Sequence, residues 1–262
     1  MINRKMIGRV LGMLLFIELG MFLLCAGVSA GYGESDYKYF LYTCVINAVV
    51  GGLLLLYGRG AENKMSRRDG YCVVTLSWVF FTSFGMLPFY FSGSIDTITN
   101  AFFETMSGFT TTGATILDDI ESLSHGMLFW RSLTQWIGGL GIVFFTIAIL
   151  PIFTTGGVQL FSAESTGVTH DRTHPKINVM AKWLWTIYLV LTISETVLLM
   201  FGGMSLFDAI CQSFATTATG GYSTKQNSIS YWNSPYIEYV VAIFMIVSSI
   251  NFSLFLMCLK GK

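Results

Sequence analysis

The chain is poor in charge. Only 11% of its 262 residues are Asp, Glu, Lys or Arg, and the 15 basic residues balance the 15 acidic ones. A soluble domain usually carries about 25% charged residues. With 53% hydrophobic and 15% aromatic residues, the composition excludes an ordinary soluble domain and points to an integral membrane protein. Zero net charge leaves no basic footprint for nucleic acid. Disulfide and metal chemistry are equally thin. The five cysteines, Cys25, Cys44, Cys72, Cys211 and Cys258, are odd in number, form no C-x-x-C and lie in or beside apolar segments. They read as reduced and buried. Of three histidines, His170 and His174 have the spacing of a helical metal pair, but Pro175 follows and no Cys or Glu completes a site, so they read as polar loop residues. No G-x-S-x-G or H-E-x-x-H string is present, and the sequence offers no catalytic set and no cofactor site.

What is abundant is apolar length. Six stretches, roughly 6–30, 39–57, 71–91, 126–150, 180–201 and 237–259, are long enough to cross a bilayer, which takes about 20 apolar residues. The first run is too long for a cleaved signal peptide, and a second span follows closely. Basic residues set the orientation. Arg4, Lys5, Arg9, Arg59, Lys64, Arg67, Arg68, Arg172, Lys176, Lys182, Lys260 and Lys262 fall on one side, which is therefore cytoplasmic. Glu34, Asp36, Asp96, Asp118, Asp119 and Glu121 fall on the other. Both termini are then inside, as an even number of spans requires.

Two threonine-rich strings interrupt this pattern on the outer side: "FTTTGAT" (109–115) after the third span and "TTATGGYS" (216–223) after the fifth. Each follows a short apolar segment, "ITNAFFETMSGF" (98–109) or "SLFDAICQSFA" (205–215). As a helix such a segment is about 17 Å long, too short to cross. It is either a surface helix or one that dips into the membrane and returns. Non-helical backbone is tolerated at membrane depth only where it lines a water-filled path or is buried in protein. Glycine permits the positive φ that turns successive carbonyls toward one axis. Threonine adds a hydroxyl, and a ring of such oxygens replaces the hydration shell of K⁺.

The layout of span, short helix, Thr-Gly turn and span occurs at 71–150 and again at 180–259. Setting Gly113 on Gly220, an offset of 107 residues, brings Thr110 onto Thr217 and Thr112 onto Thr219. Elsewhere the identity is poor, so this is a repeat of layout, of the kind found in transport proteins.

"SGFTTTGAT" (107–115), "FWRSLTQWIGGLGI" (129–142) and "ATTATGGYST" (215–224) resemble the membrane subunit of Trk-type potassium uptake systems, within the Trk/Ktr/HKT cation transporter superfamily. The resemblance covers essentially the whole chain, including two leading spans similar to that family's N-terminal hairpin. It implies an all-α integral membrane protein with six transmembrane helices and two re-entrant pore-helix and filter loops. The implied divisions are a hairpin at 1–70, a first membrane–pore–membrane repeat at 71–150, a cytoplasmic linker at 151–179 and a second repeat at 180–262. The family's pore has four such repeats. The expectation is therefore the N-terminal half of such a protein, with the remaining filters, the gate loop and the pore arginine outside this sequence.

Carried over residue by residue, the resemblance places one ion-binding filter at Thr111, Thr112, Gly113, Ala114 and Thr115. It places another at Ala218, Thr219, Gly220, Gly221 and Tyr222, with Gly113 and Gly220 central. Glycine at the first-repeat position goes with K⁺ preference in the superfamily, and serine with Na⁺ permeation. K⁺ would be the transported ion, with no cofactor in this chain. The implied partners are membrane lipid, a second copy in the full-length protein, and a cytosolic nucleotide-binding (RCK-type) regulatory subunit docking near 151–179. The implied location is a bacterial inner membrane.

Several residues keep two readings. Glu18 and Glu195 lie within apolar spans, where charge costs roughly 2.5–3.5 kcal/mol on insertion scales. They are either transport residues or sit near span faces or polar groups of the bundle. Arg131 reads as snorkelling to the interface rather than steering cations. Glu104 and Asp208 either attract cations to the mouth or serve helix packing and capping. Gly138, Gly139 and Gly141 read as packing residues that let a helix approach closely.

Three functions compete: a K⁺-conducting Trk-type subunit, a tandem-pore K⁺ channel closed by two chains, and a non-conducting fragment with a structural role. The tandem-pore reading calls for T-V-G-Y-G-like filters and no leading hairpin, and neither holds. An enzyme is not expected.

Overall fold

The structure, a computed structural model, describes residues 2–61, 66–141 and 177–250. Among these residues the fold is helical throughout, with no strand. Helices α1 (Arg4–Gly31) and α2 (Tyr37–Tyr57) form an antiparallel hairpin. Their backbones touch at Gly12 and Gly51, where a Cβ on Gly12 would stand 2.8 Å from the Gly51 carbonyl oxygen. In lipid, where apolar surface gains little by leaving the tails, such close backbone packing is what holds helices together.

Helix α3 (Arg67–Gly85) starts at a capping box built by Ser66 and Asp69, and Asp69 also accepts from the Asn3 N–H at 2.8 Å. It stops at Met86 and resumes as α4 (Leu87–Phe91) with Pro88 in the first turn. Proline has no N–H to give the preceding turn. The nearby Gly85 carbonyl accepts instead from the Trp130 indole at 2.8 Å. Next come α5 (Ile98–Phe109), capped by Thr97, and α6 (His125–Gly139), capped by Ser124. Helix α7 (Ile177–Phe201) and the Ser205-capped α8 (Leu206–Thr217) follow. A 3-10 turn (Ser228–Trp232) then leads into α9 (Pro235–Ser249).

Four segments are long and apolar enough to cross a membrane: Arg4–Gly31, Tyr37–Tyr57, Arg68–Phe91 and Trp183–Phe201. Helices α6 and α9 show 15 residues each within the described range. The later parts of the spans expected at 126–150 and 237–259 lie outside the described residues. So does the expected linker up to residue 176, with His170 and His174, and so does Cys258. Of the other cysteines, Cys25, Cys44, Cys72 and Cys211 are all free thiols, and Cys72 is only partly buried.

Helix α6 stands at the centre. On one side fully buried Trp130 packs on Phe22 of the hairpin (4.6 Å between centroids) and Phe109 of α5 (6.0 Å). One and a half turns on, Trp136 packs among Trp185, Tyr188 and Phe214 of α7 and α8. The two intramembrane acids are both enclosed, each with a polar partner. Glu18 accepts from Asn47 Nδ2 at 3.1 Å, and Glu195 from the Thr217 hydroxyl at 3.4 Å.

The Gly12–Gly51 contact makes a direct prediction. Gly12→Leu is expected to lower the thermal midpoint of the detergent-purified protein by several degrees, since overpacking costs typically about 1–3 kcal/mol. Gly20→Leu, at a position with nothing within 4 Å of an added Cβ, is expected to leave the midpoint unchanged.

Candidate functional site

Helices α5 and α8 end the same way. After α5, Thr111 N–H donates to the Gly108 carbonyl (3.0 Å) and Thr112 N–H to that of Ser107 (2.9 Å). After α8, Thr219 N–H donates to Thr216 (2.9 Å) and Gly220 N–H to Ala215 (2.8 Å). Both are Schellman motifs. The left-handed position usually given to glycine holds a threonine in each, Thr111 at φ 53° and Thr219 at φ 55°. A β-branched residue there is a genuine outlier, held by its surroundings. Two residues on, Gly113 (φ 74°) and Gly221 (φ 83°) turn left-handed again.

This corrects the offset expected from the sequence. Thr97 and Ser205, Thr111 and Thr219, and Gly113 and Gly221 correspond, so the repeat spacing here is 108 residues rather than 107. The structural partner of Gly113 is Gly221, and Gly220 corresponds to Thr112. Matching letters misled because the repeat preserves a φ pattern, and Gly220, without positive φ, is glycine for another reason.

The fold brings the two predicted segments into contact. A Cβ on Gly113 would collide with the Gly220 carbonyl oxygen. Thr112, Ala114, Thr115, Thr219 and Gly221 are exposed, whereas Ala218, Gly220 and Tyr222 are buried. Ala218 lies under Gly139. Tyr222 turns inward, its hydroxyl placed to donate to the carbonyls of Glu104 (3.0 Å) and Ala114 (3.2 Å).

Behind the loops is a buried ion pair that the sequence reading missed. Arg131 does not snorkel: its side chain is 2% exposed and its Nε donates to Glu104 Oε1 at 2.8 Å, with Glu104 fully buried. The same carboxylate accepts from the Thr115 hydroxyl (2.9 Å) and the Ile116 N–H (3.0 Å) of the first loop. Arg131 Nη1 donates to the Ser223 carbonyl (3.0 Å) of the second loop, and the guanidinium lies 3.6 Å over the Tyr222 ring. Glu104 is therefore enclosed and fully engaged by Arg131 and the first loop. The physical reason is that each charge is the other's compensation, and neither residue shows this when read alone. Asp208 is a capping residue: its N–H donates to Ser205 Oγ, and its carboxylate accepts from Ser205 Oγ (2.8 Å) and Thr224 Oγ1 (2.6 Å).

Helix α6 fits between the two loops by its small residues. Gly138 lies against the Phe109 carbonyl at the end of α5, and Gly139 against Ala218 and the Tyr188 hydroxyl, so each helix end has its own glycine. One turn earlier, Gln135 Oε1 accepts from the Tyr222 N–H at 3.1 Å. At the other end of α6, Glu34 of the α1–α2 turn accepts from the His125 N–H (2.8 Å), from its ring Nδ1 (2.7 Å) and from Gly126 N–H (3.3 Å). Partial burial of Glu34 opposes its ionisation, but these hydrogen bonds outweigh it and hold the carboxyl below the usual carboxylate range. Among the described residues no group of His, Cys, Asp and Glu is placed to hold a metal ion.

The family model of TrkH, described as a cation transport protein, matches residues 37–261. The chain is 41% identical to the Trk system potassium uptake protein TrkH of Escherichia coli (strain K12) over 260 residues, which are 98% of this chain and 54% of that protein. It is 34% identical to the Trk system potassium uptake protein TrkG of the same strain, over 90% of this chain and 49% of that one. The crystal structure of the potassium transporter TrkH from Vibrio parahaemolyticus superposes with a TM-score of 0.83 at 34% identity, covering 98% of this chain and 52% of that chain. The chain thus spans about half the length of the curated relatives it matches.

The buried pair yields a double-mutant prediction. Glu104→Gln leaves Arg131 buried without its counter-charge and is expected to cost about 3–5 kcal/mol. Glu104→Gln combined with Arg131→Met is expected to be milder than the first change alone. Thermal unfolding of the purified single and double variants gives the coupling, and additive losses would show that the two charges act independently.

Proposed function

This chain belongs to the TrkH family of cation transport proteins, and from that premise we propose that it is the ion-conducting part of a Trk-type potassium uptake system. Thr111 to Thr115 and Ala218 to Tyr222 present backbone carbonyls to the passing ion. The observation that carries this reading is the pair of matched loops, each left-handed at alternate residues and meeting at Gly113 and Gly220. Alternating handedness turns successive carbonyls to one side, and carbonyl rings of this kind take the place of water around K⁺. Potassium as the ion comes from the names of the relatives.

The same reading gives six transmembrane helices, formed by α1, α2, α3 with α4, α6, α7 and α9. The short helices α5 and α8 dip in from the outer side and return. It retains the hairpin at 1–70 and the two repeats at 71–150 and 180–262, with both termini on the cytoplasmic face of a bacterial inner membrane. The bacterial sources of the relatives support that location. Homodimerisation of the full-length protein and docking of a nucleotide-binding RCK-type subunit near 151–179 rest on the family resemblance of the sequence.

Two measurements test this. Single cysteines replacing Lys64, Lys176 or Asp119, in a background free of native cysteine, are exposed to an impermeant thiol reagent in intact cells. Labelling is expected at position 119 alone, and labelling at 176 would overturn the topology. Separately, Gly113→Ser, in the protein expressed from its complete natural gene, is expected to weaken discrimination between K⁺ and Na⁺. The new Cβ would press on the Gly220 carbonyl and strain a left-handed backbone. Growth of K⁺-uptake-deficient cells at low K⁺ with varied Na⁺ reads the effect, and an unchanged ion ratio would remove Gly113 from the path.

A further inference from the structure

Gln135 has no solvent access, and its position between the loops is more constrained than packing demands. Its Oε1 accepts the Tyr222 N–H at 3.1 Å, which settles the orientation of the amide. Nε2 is thereby turned toward the junction of the loops. It lies 2.6 Å from where a Cβ on Gly220 would stand and 3.9 Å from the same point on Gly113. Among the described residues no hydrogen-bond partner meets Nε2 there. A buried donor without an acceptor is unfavourable, and methionine or leucine would fill similar volume without that cost. Filling space therefore does not explain the amide.

The neighbouring glycine completes the observation. Gly220 is not among the positive-φ glycines, so its backbone does not need glycine. A side chain at 220 would instead occupy the space of the Gln135 amide. Glycine at 220 and glutamine at 135 are thus two halves of one contact. Gly221 is glycine for conformation and Gly220 for room.

We propose that Gln135 is a positioning residue that sets the separation between the two loop strands, and through it the discrimination between K⁺ and the smaller Na⁺. It grips the second strand through Tyr222 N–H and props the Gly113–Gly220 junction with the body of its amide. It touches the backbone and not the ion. This rests on reading the loops as the ion filter.

The test uses the protein expressed from its complete natural gene in cells lacking other K⁺ uptake. ⁸⁶Rb⁺ uptake, its KM and its competition by Na⁺ are measured alongside the amount of protein in the membrane. Gln135→Leu and Gln135→Asn are expected to lower the Rb⁺ over Na⁺ preference roughly tenfold, the scale of one buried hydrogen bond, with membrane levels maintained. Gly220→Ala is expected to lower membrane levels and preference together. Adding Gln135→Ala, which clears the space, restores the level but not the preference. If the unmodified protein itself shows no K⁺-selective uptake, the proposed function fails. If it is selective and both the Leu and Asn variants match it, the inference alone fails. Loss of both variants from the membrane would make Gln135 a folding residue and overturn the inference too.

Discussion

The arrangement of both loops depends on one buried ion pair, Glu104 with Arg131. Two charges out of water are costly unless each finds full compensation, and removing either partner leaves the other charge buried and uncompensated. Here the compensation comes from both loops. Glu104 holds Thr115 and Ile116 of the first, and Arg131 holds Ser223 and covers the Tyr222 ring of the second. A slip in either loop would leave part of a buried charge unpaired. The two segments, more than a hundred residues apart in sequence, are therefore set in register by the same two side chains.

Helix α6 supplies the other half of that constraint. Arg131, Gln135, Gly138 and Gly139 lie along it, and each meets a different part of the two loops or the helices that lead into them. Small residues let it approach backbone on both sides, where larger ones would push the ends of α5 and α8 apart. The paired hydrogen bonds that close each helix end hold Thr111 and Thr219 in a left-handed conformation that β-branched residues ordinarily avoid. Strain at equivalent positions of two repeats, with little sequence identity between them, marks the backbone shape as the shared feature.

The leading hairpin braces this assembly from outside it. Phe22 packs on Trp130, whose indole takes the Gly85 carbonyl beside the α3–α4 break. Glu34 ties the α1–α2 turn to the first residues of α6. The hairpin thus supports the first half of the helix on which the ion pair and Gln135 are mounted.

Much of this was legible in the sequence because it follows from local rules. Scarce charge and long apolar runs gave the helical membrane class and the limits of α1, α2 and α7. The short apolar segments 98–109 and 205–215 match α5 and α8 to within two residues. The Thr-Gly strings placed both loops. Other features became visible only in three dimensions. The 108-residue spacing came from backbone dihedrals, since Gly220 matches Gly113 as a letter but not as a conformation. Arg131 looked like an interfacial residue because its partner Glu104 is 27 positions away, on another helix. Gln135 gave no signal, because an amide in an apolar helix acquires meaning only when two distant loops are folded against it. Sequence determines what each segment prefers by itself. Which charge meets which, and which glycine makes room for which side chain, is decided by the packing of segments remote in the chain, where the low dielectric leaves few compensated arrangements.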